Sequence, residues 1–100
     1  MYSKDFTATI VVAGNTGSGT ITIQPITGMA LKIIMIDAPA AATYDWVMRD
    51  ADNYAITGEV GASGDETYHL DAPVRTSVTI TLTDATNGSY AIKIGGYYNG

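Results

Sequence analysis

A chain of 100 residues has the length of one domain and room for one hydrophobic core, not two. Hydrophobic residues make up 46% and charged residues only 15%, against a usual share of about 25%, which excludes a disordered chain. The net charge is -5, and the cations Lys4, Lys32, Arg49, Arg75 and Lys93 are scattered, which excludes a nucleic-acid partner because such a partner needs clustered cations to displace phosphate counterions.

Phe6, Ala8, Ile10 and Val12 alternate with Thr7, Thr9 and Val11, the period-2 pattern of a strand with one face in a core. Gly14 to Gly19 (GNTGSG) reads as a turn, and Thr20 to Gln24 alternates Thr with Ile as a second strand. The glycines superficially resemble a phosphate cradle, but a cradle opens a helix and here a strand follows, so the stretch is read as a hairpin loop. Pro25 cannot donate to a ladder, so the second strand is expected to end there or to lie at an edge. After a turn at Ile26-Thr27-Gly28, Met29 to Asp37 puts Leu31, Ile33 and Met35 on one face and Ile34 and Ile36 on the other. An element apolar on both faces is either central and covered or part of an interface, which makes Ile34 and Ile36 candidate partner contacts.

Ala38 to Ala42 is a connector, limited by Pro39 and its shortness to about a turn. Tyr44, Trp46 and Met48 then alternate with Asp45, Val47 and Arg49, and Tyr54 to Thr57 resumes the alternation after Asp50-Ala51-Asp52-Asn53. These turn residues bond their own backbone and tolerate unusual dihedrals, so the stretch reads as a β-hairpin centred on Trp46, the largest apolar side chain of the core. Glu59 to Thr67, with Gly58, Gly61 and Gly64, is expected to be the longest loop, and Tyr68-His69-Leu70 a short strand ended by Asp71-Ala72-Pro73. Val78, Ile80 and Leu82, then Tyr90, Ile92 and Ile94, form two alternating runs around an Asn87-Gly88 signal and predict a closing hairpin. Residues 1–4 and 97–100 are expected to be flexible or partner-contacting tails. The pattern is that of an all-β chain: a single antiparallel β-sandwich over residues 1–100, of seven to eight strands, with jelly-roll or Greek-key (Ig-like) connectivity.

Candidates for chemistry are sparse. The chain has no cysteine, which excludes disulfides and thiolate nucleophiles, and with a single histidine it offers no zinc set. His69 and Asp71 share a strand face, the geometry of an oriented base, but no Gly-x-Ser-x-Gly nucleophile accompanies them. Asp50, Asp52 and Asn53, with Asp65 or Glu66, are oxygen ligands of the kind calcium takes, but the spacing is not that of an EF-hand loop and turn formation explains the same residues. The acids Asp52, Glu59, Asp65, Glu66 and Asp71 read as solvated loop residues, and acids in turns do not make a glycosidase pair. Asn87-Gly88-Ser89 matches a glycosylation sequon that the turn already explains. No catalytic, cofactor or metal residue is assigned, and the expectation is a protein without enzymatic activity. The start of the chain lacks the basic and apolar regions of a secretion signal, and Met29 to Ile36 is too short to cross a bilayer, so neither secretion by signal nor membrane insertion is expected. Tyr2, Tyr97 and Tyr98 have no evident core position, and tyrosine suits interfaces because it buries area while keeping a polar tip, so these join Ile34 and Ile36 as candidate contacts.

The run Tyr44-Asp45-Trp46-Val47-Met48-Arg49-Asp50-Ala51-Asp52-Asn53, then Gly58, then Thr83-Asp84-Ala85-Thr86-Asn87-Gly88-Ser89-Tyr90, resembles small tailed-phage virion proteins. Their layout is a Tyr-Asp hairpin closing on Asp-x-Asp-Gly, a Gly-rich loop and a final hairpin; Asn53 stands here where that layout prefers Gly, which touches only turn type. The resemblance spans about two thirds of the chain. It implies a β-sandwich decoration or cement protein, oligomeric, bound to the major capsid protein or another virion protein, made in the bacterial cytoplasm and residing in the virion. A second resemblance, of Gly88 to Gly95 and the Asp-rich hairpin to bacterial pre-peptidase C-terminal domains, implies a carbohydrate- or calcium-binding module. Trp46 separates the two: a binding module exposes it on a face, a structural protein buries it.

Overall fold

Each alternating run becomes a strand in the computed structural model, which describes residues 2–23, 30–73 and 77–98, without the side chains of residues 2, 3, 73, 97 and 98. The strands are β1 (Tyr2–Val12), β2 (Gly17–Thr22), β3 (Ala30–Asp37), β4 (Thr43–Asp50), β5 (Ala55–Ser63), β6 (Glu66–Pro73), β7 (Ser77–Thr83) and β8 (Gly88–Tyr98). There is no helix among the described residues. Two antiparallel four-stranded sheets result, with strand orders β1-β8-β3-β6 and β2-β7-β4-β5. The pairs nest about the central hairpin: β4 with β5, β3 with β6, β2 with β7 and β1 with β8. Pairing of β3 with β8 and of β4 with β7 completes the sheets, giving a β-sandwich-like, all-β architecture. The expected strand end at Pro25 and the turn at Ile26-Thr27-Gly28 lie outside the described residues.

The core forms where the two inner faces meet. Phe6, Ile10, Val12, Ile92, Ile94 and Tyr90 come from one sheet, and Ile21, Val78, Ile80, Leu82, Trp46 and Met48 from the other, all buried as the alternation predicts. The Tyr44 and Tyr90 rings meet across the layers edge to face, with centroids 5.3 Å apart at 76°. Their hydroxyls reach backbone carbonyls at the corners, Tyr44 donating to Gly64 at 2.8 Å and Tyr90 to Thr86 at 2.7 Å. A buried phenol thus keeps its hydrogen bond and ties a connector to the core. Burial raises the Tyr44 and Tyr90 pKa above the ordinary tyrosine value.

The β4–β5 hairpin forms as expected. Asp50 Oδ1 accepts the N–H groups of Asp52 and Tyr54, each at 3.0 Å, and Asn53 takes the left-handed conformation at φ 68°. Three expectations are corrected. The loop placed at Glu59 to Thr67 is strand on both sides of a two-residue corner at Gly64-Asp65, because Gly61 (φ 78°) absorbs an extra residue opposite Asp45 as a bulge without breaking the ladder. Gly58 belongs to the same ladder, where any Cβ would collide with the Trp46 carbonyl oxygen. The closing hairpin does not exist: β7 and β8 lie in opposite sheets and present their apolar faces to each other across the core. The loop at residues 14–19 is likewise a corner, with a two-residue turn at Gly14-Asn15 (φ 63° and 65°) after which β1 and β2 enter different sheets. At the two ends of the described chain, Tyr2 to Lys4 pair with Gly96 to Tyr98, Tyr2 opposite Tyr98.

In β3 the expected division of faces is also revised. A register shift between Leu31 and Ile33 moves Leu31 onto the inner side with Ile34 and Ile36, leaving Ile33 and Met35 partly exposed outside. Ile34 (0% exposed) and Ile36 (1%) are therefore core residues and are not presented to a partner. β3 is thus central in its sheet, between β8 and β6, with its inner face covered and its outer face only partly so.

Candidate functional site: the outer sheet faces

With the inner faces consumed by the core, the surfaces left to act are the two outer faces. On the β1-β8-β3-β6 sheet, registry sets Thr7, Lys93, Met35 and Thr67 in one row and Thr9, Ala91 and Asp37 in the next. Ala91 on the central strand is small beside its neighbours, and a shallow open trough of about 780 Å³ runs over it, with Asp37, Asp65 and Glu66 at one end. Lys93 lies 3.5 Å from Asp5, and Lys32, thrown outward at the bulge, bonds Asp71 at 2.7 Å. Asp65 Oδ1 accepts the Ala38 N–H at 2.9 Å, so this acid is committed to holding the β3–β4 connector.

The other outer face, on β2-β7-β4-β5, carries Ser18, Thr20 and Thr22 beside Ser77, Thr79, Thr81 and Thr83. Thr20 and Thr79 stand directly opposite, their hydroxyls 3.0 Å apart. Next to them on β4 come Thr43, Asp45, Val47 and Arg49, and on β5 the small residues Ala55 and Gly58 and, in the bulge opposite Asp45, the exposed Val60. Asp45 and Arg49 are the only charged side chains at outward register positions of these four strands.

The residues singled out for chemistry do not converge. His69 is exposed on β6 and Asp71 is engaged by Lys32, so no oriented base forms. Asp50, Asp52 and Asn53 sit at one end of β5 and Asp65 and Glu66 at the other, and among the described residues no three His, Cys, Asp or Glu side chains are grouped to hold a metal ion. The side chains of Tyr2, Tyr97 and Tyr98 lie outside the described residues.

Trp46 is buried (3% exposed), its ring centroid 4.8 Å from that of Tyr68 on the opposite sheet, and its Nε1 has no hydrogen-bond partner among the described residues. It is a core residue and not a stacking platform for a ligand. Tyr68 donates its hydroxyl to Glu59 at the rim between β5 and β6. Desolvation first, and then that hydrogen bond, push the Tyr68 pKa up to about 12.

Two features escaped the sequence reading. The trough depends on rows formed by β1, β8, β3 and β6, which no local pattern joins, although Thr7, Thr9, Met35, Thr67, Ala91 and Lys93 each occupy the non-core phase of their strand's alternation. The exchange between Asn15 and the β7–β8 corner, in which Asn15 N–H donates to Asn87 Oδ1 and Asn15 Nδ2 donates to the Ala85 carbonyl, both at 2.9 Å, carries no sequence signal beyond two turn-forming asparagines. No protein-family model matches the chain, and no curated protein sequence matches it.

Proposed function

We propose that this chain is a non-catalytic virion structural protein that decorates or cements a phage capsid or a tail lattice, binding the major capsid protein or another virion protein through its sheet faces and termini. The observation that carries the reading is the outer face of β2-β7-β4-β5, a broad sheet surface of mostly hydroxylated side chains with two charges and the apolar Val47 and Val60. Protein contacts are depleted in charged residues at their centre, and a surface of this kind supplies area and shape without assembling reactive groups. The nested strand order supports jelly-roll connectivity, an architecture used by viral capsid and lectin domains; fold alone does not decide between those uses. The buried Trp46 favours the structural reading over the module reading.

The experiment is immunogold labelling and mass spectrometry of particles purified from the source culture. The reading expects the chain on the particles at fixed stoichiometry; its presence in the lysate but absence from purified particles would reject it. A second reading, a carbohydrate- or calcium-binding module, is favoured by the open trough with Thr7, Thr9 and Asp37. Calorimetric titration with calcium and with a glycan panel addresses it, and heat evolved on either would displace the virion reading.

A further inference from the structure

The two charges on the β2-β7-β4-β5 outer face have opposite signs and flank Val47 symmetrically. At a rise of about 3.4 Å per residue, Asp45 and Arg49 are about 14 Å apart along β4, with Val47 midway. Val47 is paired with Thr81 on β7, and Thr81 lies midway between Thr79 and Thr83. Consider a twofold axis between two copies, perpendicular to β4 and passing over Val47. It lays each β4 antiparallel on the other, with Val47 over Val47 and Thr81 over Thr81. Thr79 and Thr83 then exchange positions, and Asp45 of each copy faces Arg49 of the other. Any other sheet-on-sheet register leaves at least one of the two charges of each copy without a partner.

We propose that this face is an isologous dimer interface between two copies of the chain, closed by reciprocal Asp45–Arg49 ion pairs about a Val47 centre. Both charges keep bonding capacity for it. Asp45 uses Oδ1 to accept the Gly61 N–H at 2.9 Å, leaving its second oxygen, and Arg49 commits only Nη1, to the Asn53 carbonyl at 3.3 Å. The small side chains around them let two sheets approach to the usual spacing of about 10 Å. Four strands about 4.8 Å apart and about seven residues long span roughly 19 by 24 Å, which corresponds to a small interface of about 1,000 Å² in total. The dimer is therefore weak, concentration-dependent and loosened by salt. This inference names the self-contact within the assembly reading, but its test needs no virion, so the two fail separately.

Sedimentation equilibrium of the full chain from about 1 µM to about 1 mM, at low and high salt, is the test. The wild type is expected to dimerise, Arg49→Asp to weaken the dimer tenfold or more by setting Asp against Asp, and the Asp45→Arg/Arg49→Asp double variant to restore it. Because the chain has no cysteine, Val47→Cys supplies a single thiol, and a short bismaleimide is expected to link it to a second copy, whereas Thr9→Cys on the opposite sheet stays unlinked. That pair decides the matter should loss of the Asp45–Gly61 hydrogen bond unfold the double variant. A wild type that stays monomeric throughout, an Arg49→Asp variant that dimerises as tightly as wild type, or equal linking of the two cysteine variants overturns the proposal.

Discussion

Asn87 Oδ1 accepts the backbone N–H of Asn15 at 2.9 Å across 72 positions of chain, joining the β1–β2 corner to the β7–β8 corner. Asn15 Nδ2 also donates to the Ala85 carbonyl, and the return bond, from the Ala85 N–H to the Asn15 carbonyl at 3.1 Å, makes the contact reciprocal. Replacing Asn87 by Ala removes an acceptor from an exposed site and is expected to cost about 1 kcal/mol, or about 4–8 °C in Tm for a domain of this size. Asn87→Asp retains an acceptor and should melt within a degree or two of wild type. Thermal denaturation by circular dichroism checks both, and equal losses would mean that the two corners are not held through this atom.

Trp46 fills the space between Tyr68 and the β4–β7 inner face. Trp46→Ala is expected to cost about 3–5 kcal/mol, a large part of the stability of a small domain. As the only tryptophan, it also reports its own surroundings: its emission should be blue-shifted and shielded from acrylamide in the native state. A folded Trp46→Ala variant of near wild-type stability, or a freely quenched native fluorophore, would contradict its core position.

The tyrosines predict an alkaline limit. Tyr68 is raised from an ordinary value of 10.0 to about 12, and Tyr44 and Tyr90 are raised as well. A phenol whose folded pKa exceeds its unfolded one adds stability that is fully present below pH 10 and is lost as pH rises towards 12. Denaturant midpoints should therefore hold steady from neutral pH up to the onset of tyrosine ionisation and then fall. In Tyr68→Phe the fall should be shallower, because one of the shifted protons is gone. An identical slope for wild type and variant would show that Tyr68 titrates as it does in the unfolded chain.

Much of the inner surface was legible in residues alone. The β7 run Val78, Ile80, Leu82 and the β8 run Tyr90, Ile92, Ile94 alternate in sequence and are buried as read. The β4–β5 hairpin was legible because its turn chemistry and its pairing are both local. The misreadings share a cause. Asn-Gly and Gly-Asn signals report a reversal of the chain, and a reversal serves equally for a hairpin within one sheet and for a corner between two. Gly58 and Gly61 suggested a loop, yet they are there because a backbone passes close by and a bulge needs a positive φ. For β3, the bulge between Leu31 and Ile33 changed which face looks inward, a shift that alternation cannot register.

The sequence by itself determined most of the strands, most of their inward faces and the central hairpin, because these follow from alternation and turn chemistry within a few neighbouring residues. Only the tertiary structure decided which strands lie side by side. The pairing Tyr2 with Tyr98, the burial of Ile34 and Ile36, the trough over Ala91 and the hydroxyl face carrying Asp45 and Arg49 all depend on contacts between distant segments. Each is selected by how two apolar faces close over one shared core, and that choice is made between sheets, beyond the range of any local pattern.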